Sequence, residues 1–250
     1  YESRYLVVFT GAGVSTESGI PDFRSPGGIW SRFDPEEFTI YRFLASAETR
    51  LKQWKILIES GLIVNAKPNG AHLAVAELEK LGKLDCVITQ NIDNLHQKAG
   101  NSPEKVFELH GTMNYARCLG CQQRYAMEDL LRLIKLEDEA PLCPECDGIL
   151  KPDVIFFGEQ LSAEALQQAV HHSRQSDLLI VVGSSLVVYP AAYMPVYAKE
   201  SGAAVVIVNL TVTDFDHQAD VVIHGKAGEV MPLILRAVKR NLGVNGGNAA

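Results

Sequence analysis

Residues 6–24 read LVVFTGAGVSTESGIPDFR. The first four are apolar without alternation, which is typical of a strand buried on both faces of a parallel sheet. Gly11 and Gly13 follow at once, and glycines after such a strand let the backbone turn sharply and approach a ligand closely. A helix that began near Val14 would offer free N–H groups to a phosphate. A plain glycine turn is the alternative, because Thr16 stands where the dinucleotide fingerprint G-x-G-x-x-G needs its third glycine.

The end of this stretch favours the interpretation as a ligand loop. Gly19 and Pro21 end any helix. Asp22, Phe23 and Arg24 then place an acid, an aromatic ring and a guanidinium in a loop beside the predicted phosphate site. We therefore predict that this loop folds over a bound cofactor.

The composition excludes several classes of protein. Hydrophobic residues make up 47% of the 250 residues and charged residues 21%, which is ordinary for a soluble globular protein. The longest apolar run, at 178–182, is far shorter than the ~20 residues that span a bilayer. The net charge of −7 argues against sequence-independent binding of nucleic acid, which needs a basic surface. We expect a cytoplasmic monomer that binds neither membranes nor nucleic acid directly.

Four of the five cysteines form two Cys-x-x-Cys pairs, Cys118/Cys121 and Cys143/Cys146. Twenty-one residues separate the pairs, a spacing close to that of zinc ribbons, in which four thiolates bind Zn²⁺ tetrahedrally. A disulfide framework and two redox motifs are the alternatives, but a disulfide scaffold is not expected in a chain with so large a core. Because four sulfur ligands leave no open coordination position, we predict one structural Zn²⁺ and a reaction centre elsewhere.

Polar residues follow a second predicted strand at 85–89. Gln90, Asn91 and Asp93 can hydrogen-bond to ribose hydroxyls and to a carboxamide, and the carboxyl ends of parallel strands are where open α/β sheets bind ligands. A turn capped by Asn and Asp is the alternative. His110 ends another short strand. It is either a packed core histidine or a general base, because imidazole titrates near neutral pH.

At least five ordered motifs resemble those of the sirtuins, the NAD-dependent protein lysine deacylases, of bacterial or archaeal type. The first is the cofactor loop Gly11-Ala12-Gly13-x-Ser15-x-x-Ser18-Gly19-Ile20-Pro21-Asp22-Phe23-Arg24. The others are TQNID-x-LH at 89–96, LHG at 109–111, P-x-x-x-x-FGE at 152–159 and GSS at 183–185. The resemblance covers essentially the whole chain. It implies an α/β fold with a doubly wound, Rossmann-like parallel sheet, a helical insertion and a small zinc-ribbon module.

The resemblance also implies a reaction in which NAD is consumed as a co-substrate. The acyl oxygen of a modified lysine attacks the ribose carbon that bears nicotinamide, and nicotinamide leaves. His110 then activates a ribose hydroxyl that takes up the acyl group, which releases lysine and an O-acyl-ADP-ribose. We therefore expect an NAD-dependent protein deacetylase, with His110 and Asn91 as catalytic residues. Acetylated-lysine proteins or peptides are expected to bind in extended form by β-strand addition.

The resemblance implies two sets of contacts. Gln90 holds a ribose, and the three residues after it line the nicotinamide pocket. The full set expected to contact NAD is Gly11, Ala12, Gly13, Ser15, Thr16, Asp22, Phe23, Arg24, Gln90, Asn91, Ile92, Asp93, His110, Gly183, Ser184, Ser185, Asn209, Leu210 and Ala227. The set expected to contact the substrate is Ile155, Phe157, Gly158, Glu159, Leu186, Val187 and Val188.

The chain is predicted to consist of modules. The NAD-binding Rossmann-like domain comprises residues 1–29, 67–115 and 152–242, with a helical insertion at 30–66, a zinc-ribbon module at 116–151 and a disordered tail at 243–250. Apolar spacing and end signals predict helices at 71–81, 127–139, 162–176 and 229–242.

The acyl preference is inferred from residues 53–58, QWKILI. Sirtuins that prefer negatively charged acyl groups carry Tyr-x-x-Arg in this insertion, and neither residue is present here. We therefore predict an acetyl substrate, although Lys55 can partly substitute for the arginine. The alternatives are a mono-ADP-ribosyltransferase or lipoamidase on the same fold, a nicotinamide-dependent dehydrogenase, and a non-catalytic reader of acylated lysine. The incomplete glycine fingerprint disfavours the dehydrogenase, and the intact His110 disfavours the reader.

Overall fold

The computed structural model describes residues 1–59, 65–133 and 139–244. Within these ranges the chain forms nine strands and eight α-helices. In chain order they are β1 (Leu6–Thr10), α1 (Ile40–Ala45), α2 (Ala47–Glu59), α3 (Gly70–Lys80), β2 (Leu84–Thr89), α4 (Leu95–Ala99), β3 (Val106–Glu108), β4 (Gly111–Cys118), β5 (Arg124–Ala126), α5 (Met127–Leu133), β6 (Leu150–Val154), α6 (Ala163–Gln175), β7 (Leu178–Val182), α7 (Met194–Glu200), β8 (Ala204–Asn209), β9 (Val221–His224) and α8 (Ala227–Asn241).

Six parallel strands form the central sheet in the order β3-β2-β1-β7-β8-β9. β1 pairs with β2 on one side and with β7 on the other, so the strand order reverses between β1 and β7. This is the doubly wound arrangement predicted from the sequence. In such sheets ligands bind at the reversal, outside the carboxyl ends of the strands. The loop after β1 and the turn after β7 therefore lie at the expected ligand position.

Helices cover both faces of the central sheet. In β1, Val7 and Phe9 belong to a buried cluster with residues of α6 and α7, whereas Leu6 and Val8 belong to a second cluster with residues of α3 and α8. All five residues of β1 are buried. Burial on both faces explains why β1 and β7 are apolar without alternation.

A second sheet of three antiparallel strands, β5-β4-β6, carries the paired cysteines. β4 begins at Gly111, directly after His110, and β6 ends at Val154. The module boundaries predicted at 115/116 and 151/152 therefore fall inside these two strands. The small sheet is continuous with the segments that lead out of the central domain.

The helical insertion packs against this small sheet. Phe43 of α1 and Trp54 of α2 are fully buried in a cluster with residues of β4, β6 and α5. The indole N–H of Trp54 also donates to the backbone carbonyl of Leu150, at 3.2 Å. The insertion and the small sheet therefore share one hydrophobic core, separate from the two clusters that flank the central sheet.

Most helix ends follow their sequence signals. α3 begins after Asn69, whose side chain accepts the N–H of Ala71, and α6 begins after Ser162, whose hydroxyl accepts the N–H of Ala165. α8 begins two residues earlier than predicted. The parts of the predictions that fall on 60–64, 134–138 and 245–250 lie outside the described residues. None of the described helices is long and apolar enough to cross a membrane.

Candidate active site

The loop after β1 packs tightly against the end of β7. The N–H of Gly13 donates to the carbonyl oxygen of Gly183 at 2.8 Å, and a Cβ on Gly13 would lie 2.8 Å from that oxygen. Gly183 has φ +62°, a left-handed conformation that favours glycine. Residues 12–18 form a 3₁₀ helix instead of the predicted α-helix near Val14. The N–H of Val14 donates to the carbonyl of Gly11 at 3.0 Å, so this N–H is not free for a phosphate.

His110 lies between β3 and β4, and its imidazole is partly buried. Its Nδ1 is 2.9 Å from the backbone carbonyl oxygen of Gln90. A carbonyl oxygen only accepts hydrogen bonds, so Nδ1 carries the proton and Nε2 keeps its lone pair. Among the described residues, no group hydrogen-bonds to Nε2. Burial lowers the pKa of His110, against the smaller opposite effect of the Gln90 carbonyl. The imidazole is therefore neutral at pH 7 and able to accept a proton.

A buried network links the loop after β1 to the end of β2. The Ser15 hydroxyl donates to Asp93 Oδ2 at 2.6 Å and accepts from Asn91 Nδ2 at 3.1 Å. Asn91 Nδ2 also donates to the carbonyl of Gly11 at 3.2 Å. The other carboxylate oxygen of Asp93 accepts the N–H of Leu95, the first residue of α4. Three of the predicted NAD contacts, Ser15, Asn91 and Asp93, are thus brought together and held by one another.

His72 completes this network, although sequence reasoning did not place it in the site. Its Nδ1 accepts the N–H of Asn69 at 3.3 Å, within a capping box at the start of α3. The proton then lies on Nε2, which is 3.4 Å from the Ser15 hydroxyl. Burial lowers the pKa of His72 to about 4, against the attraction of Asp93. The sequence signals for this residue are the Asn-x-x-His spacing, which indicates a helix start, and the Pro-x-x-Ala-His string at 68–72, which resembles one in sirtuins.

A second buried imidazole lies beside His72. The ring of His96 is 5.0 Å from that of His72, and its Nε2 is 3.1 Å from the Thr10 hydroxyl. Thr10 donates to the Thr89 hydroxyl at 2.8 Å, which also accepts the N–H of Asn91. The carboxyl ends of β1 and β2 are therefore joined by side chains as well as by the sheet ladder. The sequence carries no signal for this contact, because threonine is common in buried strands.

The remaining residues that are expected to contact NAD after β1, β2 and β7 differ in exposure. Gln90 donates from Nε2 to the hydroxyl of Ser184 at 2.9 Å, so this pair joins the ends of β2 and β7. Ser184 is buried, whereas Ser185 is exposed. Thr16 is exposed and its hydroxyl returns to the carbonyl of Gly13. Ala12 and Ile92 are partly buried.

The residues expected to contact the adenosine follow β8 and β9. Asn209 ends β8, is buried, and donates from Nδ2 to the carbonyl of Thr211 at 2.8 Å. Leu210 is 66% exposed beside it. Ala227 begins α8 and is buried. All three therefore lie at the same edge of the sheet as the residues that follow β1 and β2.

The loop at 22–25 is shaped by its own acid. The Asp22 carboxylate accepts the N–H groups of Arg24 and Ser25 and the hydroxyl of Ser25, at 2.5–3.0 Å. The carboxylate of Asp22 is therefore occupied in an Asx-type turn and is not free to bind a ligand. Phe23 packs on Trp30 with 5.1 Å between the ring centroids, and Arg24 is exposed. Of the three predicted contacts, Phe23 and Arg24 keep side-chain surface for a ligand.

The segment after β6 lies beside His110 and is already paired on one edge. The N–H of Ile155 donates to the backbone carbonyl of His110 at 2.9 Å. Phe157 uses both its N–H and its carbonyl in bonds to residues 38–40, so its backbone is not free for a substrate strand. The ring of Phe157 is 43% exposed. Gly158 follows it in an exposed turn with φ +84°.

Two of the predicted substrate contacts have buried or paired side chains. Leu186 is only 6% exposed and packs in the core cluster on the α6 side of the sheet. The carboxylate of Glu159 is bound by the ammonium of Lys151 at 2.9 Å. Val187 is 43% exposed and Val188 is partly buried, so both keep accessible surface. The side chains of Leu186 and Glu159 are therefore engaged within the protein, and their contact with a substrate stays a prediction.

The four paired cysteines converge in the small sheet. The Sγ atoms of Cys118 and Cys146 are 3.5 Å apart and those of Cys121 and Cys143 are 3.7 Å apart. All five cysteines of the chain are free thiols. A disulfide needs ~2.05 Å between sulfurs, whereas thiolates at ~2.3 Å from a tetrahedral Zn²⁺ lie ~3.8 Å from one another. The four sulfurs therefore fit a zinc site and not a pair of disulfides.

Comparison with known proteins bears on this arrangement of strand-end loops, histidine and thiols. A model of the Sir2 family matches residues 11–190. The chain belongs to the Sir2 family. The matched residues include the loop after β1, the network of Ser15, Asn91 and Asp93, and His110. They also include all four paired cysteines.

Sir2 relatives are similar over nearly their whole length. An NAD-dependent protein deacetylase of Caldivirga maquilingensis is 48% identical over 238 residues, which are 95% of this chain and 90% of the relative. An NAD-dependent protein deacylase of Thermococcus sibiricus is 47% identical over 246 residues, 96% of this chain and 94% of the relative. A Sir2 structure with a deacetylated peptide and 3'-O-acetyl ADP-ribose has a TM-score of 0.86 and 41% identity, and covers 98% of this chain and 96% of that one. The predicted family and fold are confirmed.

Proposed function

We propose that this Sir2 protein is an NAD-dependent protein lysine deacetylase that transfers the acetyl group of acetyl-lysine to ADP-ribose and releases nicotinamide. The observation that carries the proposal is the hydrogen bond from His110 Nδ1 to the carbonyl of Gln90, which leaves Nε2 able to accept a proton at the carboxyl end of β2. The name of the Caldivirga relative supports it. So does the Sir2 structure that contains a deacetylated peptide and an acetylated ADP-ribose.

The residues at the carboxyl ends of the strands fit NAD. Hydroxyl groups, side-chain amides and the exposed guanidinium of Arg24 suit ribose hydroxyls, a carboxamide and phosphates. We assign Asn91 and its neighbours to the nicotinamide end, and Asn209 and Ala227 to the adenosine end. NAD supplies the ribose carbon that nicotinamide leaves.

The chain's own groups act at two points. The amide of Asn91, held by Ser15, positions the nicotinamide carboxamide, and Asp93 and His72 hold Ser15 in turn. Nε2 of His110 would remove the proton from a ribose hydroxyl so that the hydroxyl oxygen can take up the acyl carbon, and one water molecule would then add at that carbon as the lysine amine leaves. A well-placed general base typically contributes about 10²- to 10⁴-fold to the rate.

The four thiols hold one structural zinc ion in this proposal. Cys118, Cys121, Cys143 and Cys146 supply all four ligands, so the ion has no open position for a substrate. Its contribution is to the folding of the small sheet, whose two long strands both reach the neighbourhood of His110.

The proposed acyl group is acetyl. Within 53–58, Gln53 is buried and donates to the backbone carbonyl of Glu37, and Trp54 is bound to the small sheet. Lys55, the cation of this window, is itself engaged in a contact. The described part of the window therefore offers no built anchor for a negatively charged acyl chain.

The extended substrate would pair near Gly158. The cytoplasmic location and the monomeric state stay predictions.

The decisive measurement is mass spectrometry of the purified protein with NAD and an acetyl-lysine peptide. We expect nicotinamide, deacetylated peptide and O-acetyl-ADP-ribose in equal amounts, and little turnover of a succinyl-lysine peptide. His110→Ala should lower turnover at least ~100-fold because the base is lost, with fold and zinc content unchanged. His217→Ala removes an exposed histidine and is the matched control.

Two outcomes would contradict the proposal. Release of nicotinamide while the peptide stays acetylated would favour ADP-ribosyl transfer or NAD hydrolysis. Retained turnover in His110→Ala would remove His110 from the role of base.

A further inference from the structure

Lys151 places a positive charge inside the protein, close to the segment that follows β6. The residue is only 7% exposed. Its ammonium donates to the backbone carbonyl of Val154 at 2.5 Å and lies 2.9 Å from Glu159 Oε2. It also lies 4.6 Å from the centre of the Phe156 ring. Within the described parts of the chain, all polar contacts of this cation are made with residues 152–159, including a longer one to the carbonyl of Pro152 at 3.4 Å.

Glu159 joins this cation to the turn that carries Gly158. Its Oε2 accepts the N–H of Phe156 at 2.6 Å, while its own N–H donates to the carbonyl of Phe156 at 3.0 Å. Gly158, with φ +84°, lies between them. One carboxylate therefore closes a four-residue turn and binds the buried ammonium beneath it.

This turn presents the surface assigned to the substrate. Phe157 and Gly158 are exposed on one side, and Ile155 bonds to the backbone carbonyl of His110 on the other. The ion pair is largely buried, with 8% of the Lys151 side chain and 22% of the Glu159 side chain exposed. Lys151 and Glu159 therefore cannot bind substrate as free charges, but they set the backbone to which it would bind.

Stability alone is a poor reason for a buried ion pair. Desolvation of the two charges offsets most of their attraction, and apolar residues of similar size often serve equally well in such places. A charge pair that accepts and donates directed hydrogen bonds does, however, select one backbone conformation among several of similar energy.

We infer that Lys151 and Glu159 are positioning residues that set the affinity for the acyl-lysine peptide by holding the turn at 156–159 in the conformation that presents Gly158 to it. The inference rests on the proposed function and adds to it a determinant of substrate affinity that lies behind the binding surface. It also explains why the carboxylate of Glu159 points at Lys151 rather than at the substrate.

The test separates binding from chemistry. Glu159→Gln and Lys151→Met should each raise the KM for an acetyl-lysine peptide about 10-fold, roughly the loss of one charge-assisted hydrogen bond, while kcat and the KM for NAD change less than about twofold. The Kd of a fluorescein-labelled acetyl-lysine peptide, measured by fluorescence polarisation, should rise in parallel. Lys151→Arg should restore most of the affinity. Lys199→Met, which breaks the exposed pair with Asp220, is the matched control and should change neither constant.

The outcomes are distinguishable. If the variants bind the labelled peptide as tightly as the native protein and lose only thermal stability, the pair merely stabilises the fold and the inference is wrong. If Lys151→Met does not fold, Glu159→Gln decides alone, because glutamine keeps an acceptor for the N–H of Phe156. If the native protein itself neither binds the peptide nor releases nicotinamide, the proposed function fails independently of this pair.

Discussion

Burial and directed hydrogen bonds together determine the protonation of the imidazoles around the site. His110 donates from Nδ1 to a backbone carbonyl, whereas His72 accepts a backbone N–H at Nδ1. The two rings therefore carry their protons on opposite nitrogens. One offers a lone pair at Nε2, and the other offers an N–H to Ser15. A sequence shows that histidines are present but not which carbonyl or N–H meets each nitrogen.

The pH dependence of catalysis follows from the burial of His110. Burial lowers its pKa, so the neutral base persists below the ordinary imidazole value of ~6.5. Activity is therefore full above this lowered pKa and is lost as the pH falls through it. We expect the acid limb of kcat/KM, measured with an acetyl-lysine peptide, to have its midpoint below pH ~6.5. A midpoint above that value would show that the base is exposed or is another group.

The pH dependence of stability reports on His72. Its pKa is about 4 in the folded protein and ~6.5 when unfolded, so between these values only the unfolded chain binds the proton. Stability from this residue is full above pH ~6.5 and falls by about 3 kcal/mol as the pH drops toward 4. Urea unfolding of the native protein and of His72→Gln should show a shallower loss in the variant over this range.

Comparing the native protein with His72→Gln cancels the contribution of Glu108 to the pH dependence of stability, which opposes that of His72. Burial raises the pKa of Glu108 to about 7, which favours the folded state at low pH, and this group is common to both proteins. Equal slopes for the native protein and His72→Gln would mean that His72 is solvated.

The small antiparallel sheet has cross-links at one end and in its middle. At one end the four thiols converge. In its middle, Arg124 binds Asp153 at 2.8 Å and lies over the ring of Tyr115, which ties β5 to β6 and β4. These contacts are partly exposed and contribute little by themselves, ~0–1 kcal/mol for the ion pair. A bound metal is therefore expected to add to the free energy that the core shared with Phe43 and Trp54 supplies to this sheet.

Removal of zinc should consequently lower the deacetylase activity as well as the stability. We expect one zinc per chain by elemental analysis, and a fall in Tm of at least ~5 °C together with loss of deacetylation in Cys143→Ser. Chelation should have the same effect, and added Zn²⁺ should restore both properties in the native protein but not in the variant. Cys86→Ser, at the buried cysteine outside the cluster, should keep its zinc. A metal-free protein with unchanged Tm would show that the thiols do not fold the sheet.

Elements that depend on the chain's own periodicity are predicted well from the sequence, and elements that depend on distant partners are not. The buried strands and the helices α3 and α6 carry their own apolar spacing and end signals. The 3₁₀ helix at 12–18 is different, because its geometry follows from contact with Gly183, which lies far away in the chain. In the same way, only the fold reveals that Phe157 is already paired with residues 38–40.

The molecule as a whole places every strand-end loop of the central sheet at one edge, and this is why the candidate site was largely predictable. Parallel strands joined by helices must bring their carboxyl ends together, so motifs far apart in the chain meet without further information. The direction of an individual side chain within a motif is less predictable from the sequence. Leu186 and Glu159 lie within functional motifs yet are directed into the protein. Burial and pairing, not motif membership, decide which side chains reach a ligand.

The way β4 and β6 leave the central domain limits how this chain can change in length. β4 begins one residue after His110, and β6 ends one residue before Ile155. The N–H of Ile155 donates to the backbone carbonyl of His110. An insertion or deletion of one residue in either strand would reverse its inward and outward faces and displace the histidine. The described helix α5 is constrained as well, because Met127 and Leu130 pack in the core that is shared with Trp54. Changes of length, whether natural or engineered as a loop, tag or reporter, should therefore be excluded from β4, β6 and α5.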